Sequence, residues 1–199
     1  MRYKIPKSYA GMRVGLLGGS FDPAHEGHLN ICLHSLKRFQ LDQIWLLVSP
    51  GNPMKNQNPL SLNKRMDHAK NIFQHPKIKI TNIETQLKTR FTYHTLLLLK
   101  QLYPSTNFTW IMGADNMAQV HLWQDWKVIF SLMPVGVLAR PGQGISARLS
   151  PAARKFATHQ ISESCSRQLG GAVAPAWCFV NLPMSQISSS EIRSLGLWS

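Results

Sequence analysis

Two histidines three residues apart follow a glycine-rich turn in residues 14–33, "VGLLGGSFDPAHEGHLNICL". An apolar strand ends in Gly18 and Gly19, the chain turns through Phe21-Asp22-Pro23, and His25 and His28 stand where a helix should begin. A glycine turn lets backbone amides approach a phosphate with no Cβ in the way. A helix start adds free N–H groups and a partial positive charge, which makes it an anion site before any side chain is counted. Histidines at i and i+3 on a first helical turn share about one face, so both can donate to phosphate oxygens. Each piece has a duller explanation: a lone GG or Asp-Pro is a turn, and a lone histidine is usually a surface residue. Their combination points to a phosphate clamp. A zinc site does not fit, because H-x-x-H lacks the i, i+4 pair of H-E-x-x-H and no third ligand is evident.

The elements that must position this clamp read as alternating strands and helices. Residues 12–17 form a strand, and Leu29, Cys32, Leu36 and Phe39 recur at helical spacing. "QIWLLVS" is a second strand, closed by the Pro- and Gly-rich loop "SPGNPMKNQNP". Leu62, Met66, Ala69 and Phe73 predict a helix capped by Ser61. "KIKITNI" predicts a strand, "TYHTLLLLKQLY" a helix, and "NFTWIMG" and "PVGVLAR" two more strands. This order predicts an α/β fold: a Rossmann-like open parallel sheet with helices on both faces. Residues 141–175 carry little periodic signal beyond a turn at "RPGQG" and a short helix in "SPAARKFATHQ". "WCFVN" reads as the last strand and "SSSEIRSL" as a helix capped by Ser188 or Ser189.

At 199 residues, 44% of them hydrophobic, the chain predicts one domain over residues 1–199, with residues 1–11 as an N-terminal extension. Its net charge of +13 favours an anionic partner. Cys32, Cys165 and Cys178 are odd in number and match no metal or CxxC spacing, so they read as reduced packing residues of a cytoplasmic protein. No signal peptide is apparent, and no apolar run is long enough to cross a bilayer, so no membrane partner is expected. Arg65 and Met66, in "NKRMDHAK", read either as bordering a substrate or as a basic, solvated helix face, the commoner case. His68 belongs to no constellation.

"GGSFDPAHEGHL" resembles the signature of the HxGH nucleotidyltransferase superfamily, in the form used by bacterial nicotinate mononucleotide adenylyltransferases. Four further segments resemble that family in the same order. "SPGNPMK" matches its P-x-x-P-x-K loop with Lys55, and "FTYHTL" its Y-T-x-D-T-L segment with Thr92 and Thr95. "MGADN" followed by Trp123 matches G-x-D with a tryptophan eight residues on, and "ISSSEIR" matches I-S-S-T-x-I-R. Phe91, His94 and Ser190 depart from the usual Tyr, Asp and Thr, and relatives usually continue further beyond the position of Arg193.

The resemblance implies adenylyl transfer from ATP to nicotinate mononucleotide, giving nicotinate adenine dinucleotide and pyrophosphate in NAD biosynthesis. It implies that His25, His28, Lys55 and Arg193 serve catalysis. ATP would be bound by Gly18, Gly19, Ser20, Phe21, both histidines, Gly113, Asp115, Ile187, Ser189, Ser190 and Arg193. The mononucleotide would be bound by Gly19, Ser20, Lys55, Thr92 and Trp123. Residues 183–199 then become a C-terminal phosphate-binding motif and a short tail. Mg²⁺ is expected with ATP, held by phosphate oxygens and water, because the chain shows no carboxylate cage. Another HxGH enzyme, such as a pantetheine-phosphate adenylyltransferase, would share the histidines but has no need of Trp123 or the Thr-rich segment. A nucleic-acid-binding module would explain the charge but not a glycine turn feeding HxGH, so no nucleic acid is expected. The sequence leaves the oligomeric state open.

Overall fold

The predicted alternation is realised as one parallel sheet. The computed structural model describes residues 5–51, 59–139, 144–182, 189–194 and 198. Its strands are β1 (Arg13–Gly19), β2 (Gln43–Val48), β3 (Ile78–Thr81), β4 (Asn107–Gly113), β5 (Val135–Ala139), β6 (Gln160–Ile161) and β7 (Trp177–Asn181). They lie in the order β3-β2-β1-β4-β5-β7-β6, and each pairing among the described residues is parallel.

Alternation along the central strands divides the core in two. Leu16, Trp45, Leu47, Trp110, Met112, Val137 and Phe179 point to one face. Leu17, Ile44, Leu46, Val48, Ile111, Leu138, Cys178 and Val180 point to the other. The second face is covered by α1 (Glu26–Arg38), α2 (Leu62–Ile72) and a 3₁₀ segment, Glu163–Gly171. The first is covered by α3 (Ile83–Leu87), α4 (Thr92–Leu102), α5 (Ala114–Gln119), α6 (Trp126–Leu132), α7 (Gly144–Arg148) and α8 (Pro151–Lys155). Strands buried on both sides need such continuous apolar runs, which is why β2 reads Ile-Trp-Leu-Leu-Val.

From β1 the chain moves outward to β2 and β3, then returns to place β4 on the other flank of β1. The ends of β1 and β4 therefore border a topological switch point, where open α/β sheets form their ligand crevice. Gly18 and Gly19 end β1, and Gly113 ends β4.

Two stretches differ from the sequence reading. The strand expected over "KIKITNI" stops at Thr81, because Ile83 is buried from the first turn of α3 instead of from a strand. Within the weakly patterned residues 141–175, β6 pairs with β7 over two residues, too few for alternation to register. The remaining expected elements appear with ends shifted by a few residues. Residues 5–11 are held at the α4–β4 connection: the Tyr103 hydroxyl donates to Pro6 O at 2.8 Å, and Gly11 N–H to Ser105 O at 2.7 Å.

Glu84, in the first turn of α3, is 9% exposed, and burial pushes its carboxyl up to about 7 from 4.5. The fold therefore favours its protonated form. Its contribution to stability is fully present below about pH 4.5, falls as pH rises through 7 and is flat above that. Glu84→Gln removes this slope and stabilises the protein at pH 8 by up to about 3 kcal/mol. Urea denaturation at pH 4.5 and 8 measures both effects.

Candidate active site

The site grows from the junction of β1 and α1. Gly18 is required by packing: a Cβ there would stand 2.5 Å from Cη2 of Trp110, whose indole crosses from β4. After Gly19, Phe21 adopts φ +46°, a conformation that a bulky residue rarely takes, with its side chain buried. The Asp22–Pro23 peptide is cis. This turn delivers His25 as the N-cap of α1.

The cap fixes the chemistry of His25. Gly27 N–H donates to His25 Nδ1 at 3.1 Å, so in the neutral ring the proton sits on Nε2, which is then a hydrogen-bond donor. His28, one turn later, brings its ring centroid to 3.9 Å from that of His25. The edge of Phe21 packs on His28 at 5.1 Å, and Phe21 in turn packs against Phe73. Two imidazoles thus stand at the positive end of a 13-residue helix with an aromatic ring packed against one of them, an arrangement whose chemistry suits anionic oxygens.

The carbonyls of the turn are engaged by side chains from distant parts of the chain. Arg65 Nη1 donates to Ser20 O at 2.5 Å, and Arg193 Nη1 donates to Asp22 O. The Ser189 hydroxyl donates to Pro23 O at 3.0 Å, and His68 Nε2 lies 3.0 Å from Ala24 O. A turn built to face an anion gains from this, because its repulsive carbonyls are occupied elsewhere.

Arg65 is the residue the sequence misleads about most. It is completely buried, and besides Ser20 O it donates to Leu60 O at 2.7 Å, Ser49 O at 2.8 Å and Pro50 O at 3.4 Å. It thus joins the end of β2, both flanks of the 51–59 stretch and the turn after β1. Burial lowers its basicity, and the Asp22 carboxylate offsets part of that. The signal was available: Arg65 lies three residues after Leu62 and four before Ala69, on the apolar stripe of α2. His68, read as isolated, also packs its ring 4.6 Å from that of Trp198.

The other expected residues fall into four groups. Gly113 caps α5 at the switch point, with the Asp115 carboxylate folded back where a Cβ of Gly113 would stand. Thr92 and Trp123 belong to the opposite face: Thr92 opens α4, and half-buried Trp123, next to the 3₁₀ turn Val120–Leu122, packs on the cluster beneath α4 and α6. No aromatic ring stacks on Trp123 among the described residues, whereas Trp126 packs on Phe130 and Phe156. Lys55, Ile187 and the expected cap Ser188 lie outside the described residues, as does the side chain of Ser190. Ser189 and Arg193 stand on α9 (Ser189–Ser194), against the turn. Among the described residues, no group of three or more His, Cys, Asp or Glu side chains could hold a metal ion.

The cytidylyltransferase-like family model matches residues 16–195, which include the glycine turn, both histidines, Arg65 and Arg193. A probable nicotinate-nucleotide adenylyltransferase of Roseobacter denitrificans is 57% identical over 198 residues, covering 100% of both chains. The chain belongs to the nicotinate-nucleotide adenylyltransferase family. A second member of this adenylyltransferase family, from Rhizobium johnstonii, is 41% identical over 191 residues, with 96% of each chain covered. The fold is also that of the Plasmodium falciparum nicotinic acid mononucleotide adenylyltransferase solved with NaAD. That structure has a TM-score of 0.67 and 19% identity, and the match covers 92% of this chain and 83% of that one. The glycine turn with its two histidines, Gly113 with Asp115, and Arg193 therefore sit in their family's fold. No helix among the described residues is long and apolar enough to cross a membrane.

Proposed function

We infer that this adenylyltransferase joins ATP and nicotinate mononucleotide by direct in-line attack. A phosphate oxygen of the mononucleotide bonds to the α-phosphorus of ATP as the bond to the β-phosphate bridging oxygen breaks, releasing pyrophosphate. The observation that carries this reading is the His25 cap: it fixes a donor at Nε2 beside the His28 ring at a helix N-terminus. Such a reaction needs no protein nucleophile. It needs two anions brought together and the charge on phosphorus and leaving group stabilised.

His28 takes the place nearest the α-phosphate and His25 binds the adjoining phosphates, with Lys55 and Arg193 neutralising the pyrophosphate from flanking segments. Gly18, Gly19, Ser20 and Phe21 offer backbone donors to substrate phosphate. Ile187, Ser189 and Ser190 contribute at the α9 end, and Gly113 and Asp115 border the ribose. When bound with ATP, Mg²⁺ would be held by phosphate oxygens and water and would supply charge neutralisation at the leaving pyrophosphate. Residues 1–199 act as one catalytic domain, which we place in the cytoplasm, a reading that the three free cysteines support.

Trp123 stacks on the pyridine ring, with Thr92 meeting its carboxylate. Trp123→Ala therefore raises KM for the mononucleotide about tenfold and KM for ATP less than twofold. Steady-state kinetics with each substrate varied in turn checks this, and equal rises would mean a packing defect. The reading as a whole is tested by pyrophosphate release from ATP and Mg²⁺ with nicotinate mononucleotide, nicotinamide mononucleotide and phosphopantetheine at equal concentration. Strong preference for the first is expected, and turnover only with another acceptor overturns the substrate.

A further inference from the structure

Asp22 is held at two points by the C-terminal segment. Its backbone oxygen accepts from Arg193, and its carboxylate Oδ1 accepts from the indole Nε1 of Trp198 at 2.7 Å. The indole is itself seated between α2 side chains: the His68 ring lies 4.6 Å away and Lys64 Nζ is 5.6 Å from the ring centroid. His68 also reaches Ala24 O, next to the cap residue His25. One tryptophan thus ties α2, the turn and the segment carrying Arg193 into one connected arrangement. The Asp22 carboxylate is the acceptor that makes it specific, since a charged acceptor strengthens an N–H bond that a purely apolar contact would lack.

We propose that Trp198 is a positioning residue for the ATP end of the site, acting through Asp22 to hold Arg193 and the 21–25 turn in register with the histidine pair. This rests on the assignment of Arg193 and Ser189 to ATP. Loss of the indole N–H loosens the turn's grip on the α9 side while α1, β1 and the opposite face, with Thr92 and Trp123, keep their own packing. The effect therefore falls on ATP and spares the mononucleotide.

Trp198→Phe keeps an aromatic ring against His68 and Lys64 and removes the donor together with the five-membered part of the indole. Asp22→Ala removes the acceptor, and the double variant closes a thermodynamic cycle. The expected result is that Trp198→Phe weakens binding of a non-hydrolysable ATP analogue about 5- to 20-fold and raises KM for ATP by a similar factor. KM for nicotinate mononucleotide changes less than twofold, and the double variant is no weaker than the worse single one. Additive effects of the two substitutions, equal losses for both substrates, or unchanged analogue binding in Trp198→Phe would each overturn the proposal. Analogue binding also separates it from the activity reading. If the unaltered protein binds the analogue but releases no pyrophosphate with the mononucleotide, the activity reading fails, while the analogue comparison still decides on Trp198.

Discussion

Replacing His28 with alanine lowers kcat by about 10²- to 10³-fold while the protein stays folded, as loss of one preorganised donor typically does. The size of the effect follows from where the ring stands. It lies in the first turn of α1, at the positive helix end, 3.9 Å from the ring of His25 and against the edge of Phe21. On the proposed mechanism, charge building on the pentavalent phosphorus meets a donor already in place, so no reorganisation is needed at the moment of reaction. His28 is half-buried and its removal trims a ring edge, not the core, so thermal stability shifts by a few degrees at most. Pyrophosphate release at saturating substrates, with a circular-dichroism melt on the same sample, measures both. The corresponding change at His25 behaves differently, because it also deletes the acceptor that caps α1, worth about 1 kcal/mol of stability. Near-normal turnover in His28→Ala would remove this residue from the phosphate site.

Much of this was legible because local rules and global placement agree. Gly18-Gly19 followed by His25 and His28 is strand end, turn and helix start at once, and strand alternation with helical spacing recovers the parallel sheet with helices on both faces. What could not be read depends on contacts between distant residues. The hold of α9 and Trp198 on Asp22 and Pro23 spans more than 160 residues of sequence. Gly18 shows the same limit in miniature. Its sequence context explains it as room for a phosphate, while the fold shows a Trp110 ring occupying the space where its side chain would be. Trp126, by contrast, lies outside every quoted motif and packs on Phe130 and Phe156.

Arg65→Met is expected to destabilise the protein by about 3–5 kcal/mol, the range for removing one partner from a buried charged arrangement. Methionine keeps the apolar stem against α2's neighbours, so the loss isolates the guanidinium. Four carbonyls, of Ser20, Ser49, Pro50 and Leu60, lose a charged donor together, and the Asp22 carboxylate loses the positive charge beside it. Arg65→Lys recovers only part of this, because one ammonium group cannot span acceptors that a planar fork reaches in several directions. The consequence for activity follows from which carbonyls are involved. Ser20 belongs to the turn proposed to bind phosphate, while Pro50 and Leu60 flank the stretch that carries Lys55. Arg65 therefore couples the Ser20 turn to Pro50 and Leu60, and on the proposed function it links two segments that serve the same phosphates. At a temperature where Arg65→Lys remains folded, KM should rise for ATP and for the mononucleotide together, in contrast to the ATP-selective effect at Trp198 and the mononucleotide-selective effect at Trp123. A fall in the urea midpoint with unchanged KM for both substrates would make Arg65 a support of the fold alone.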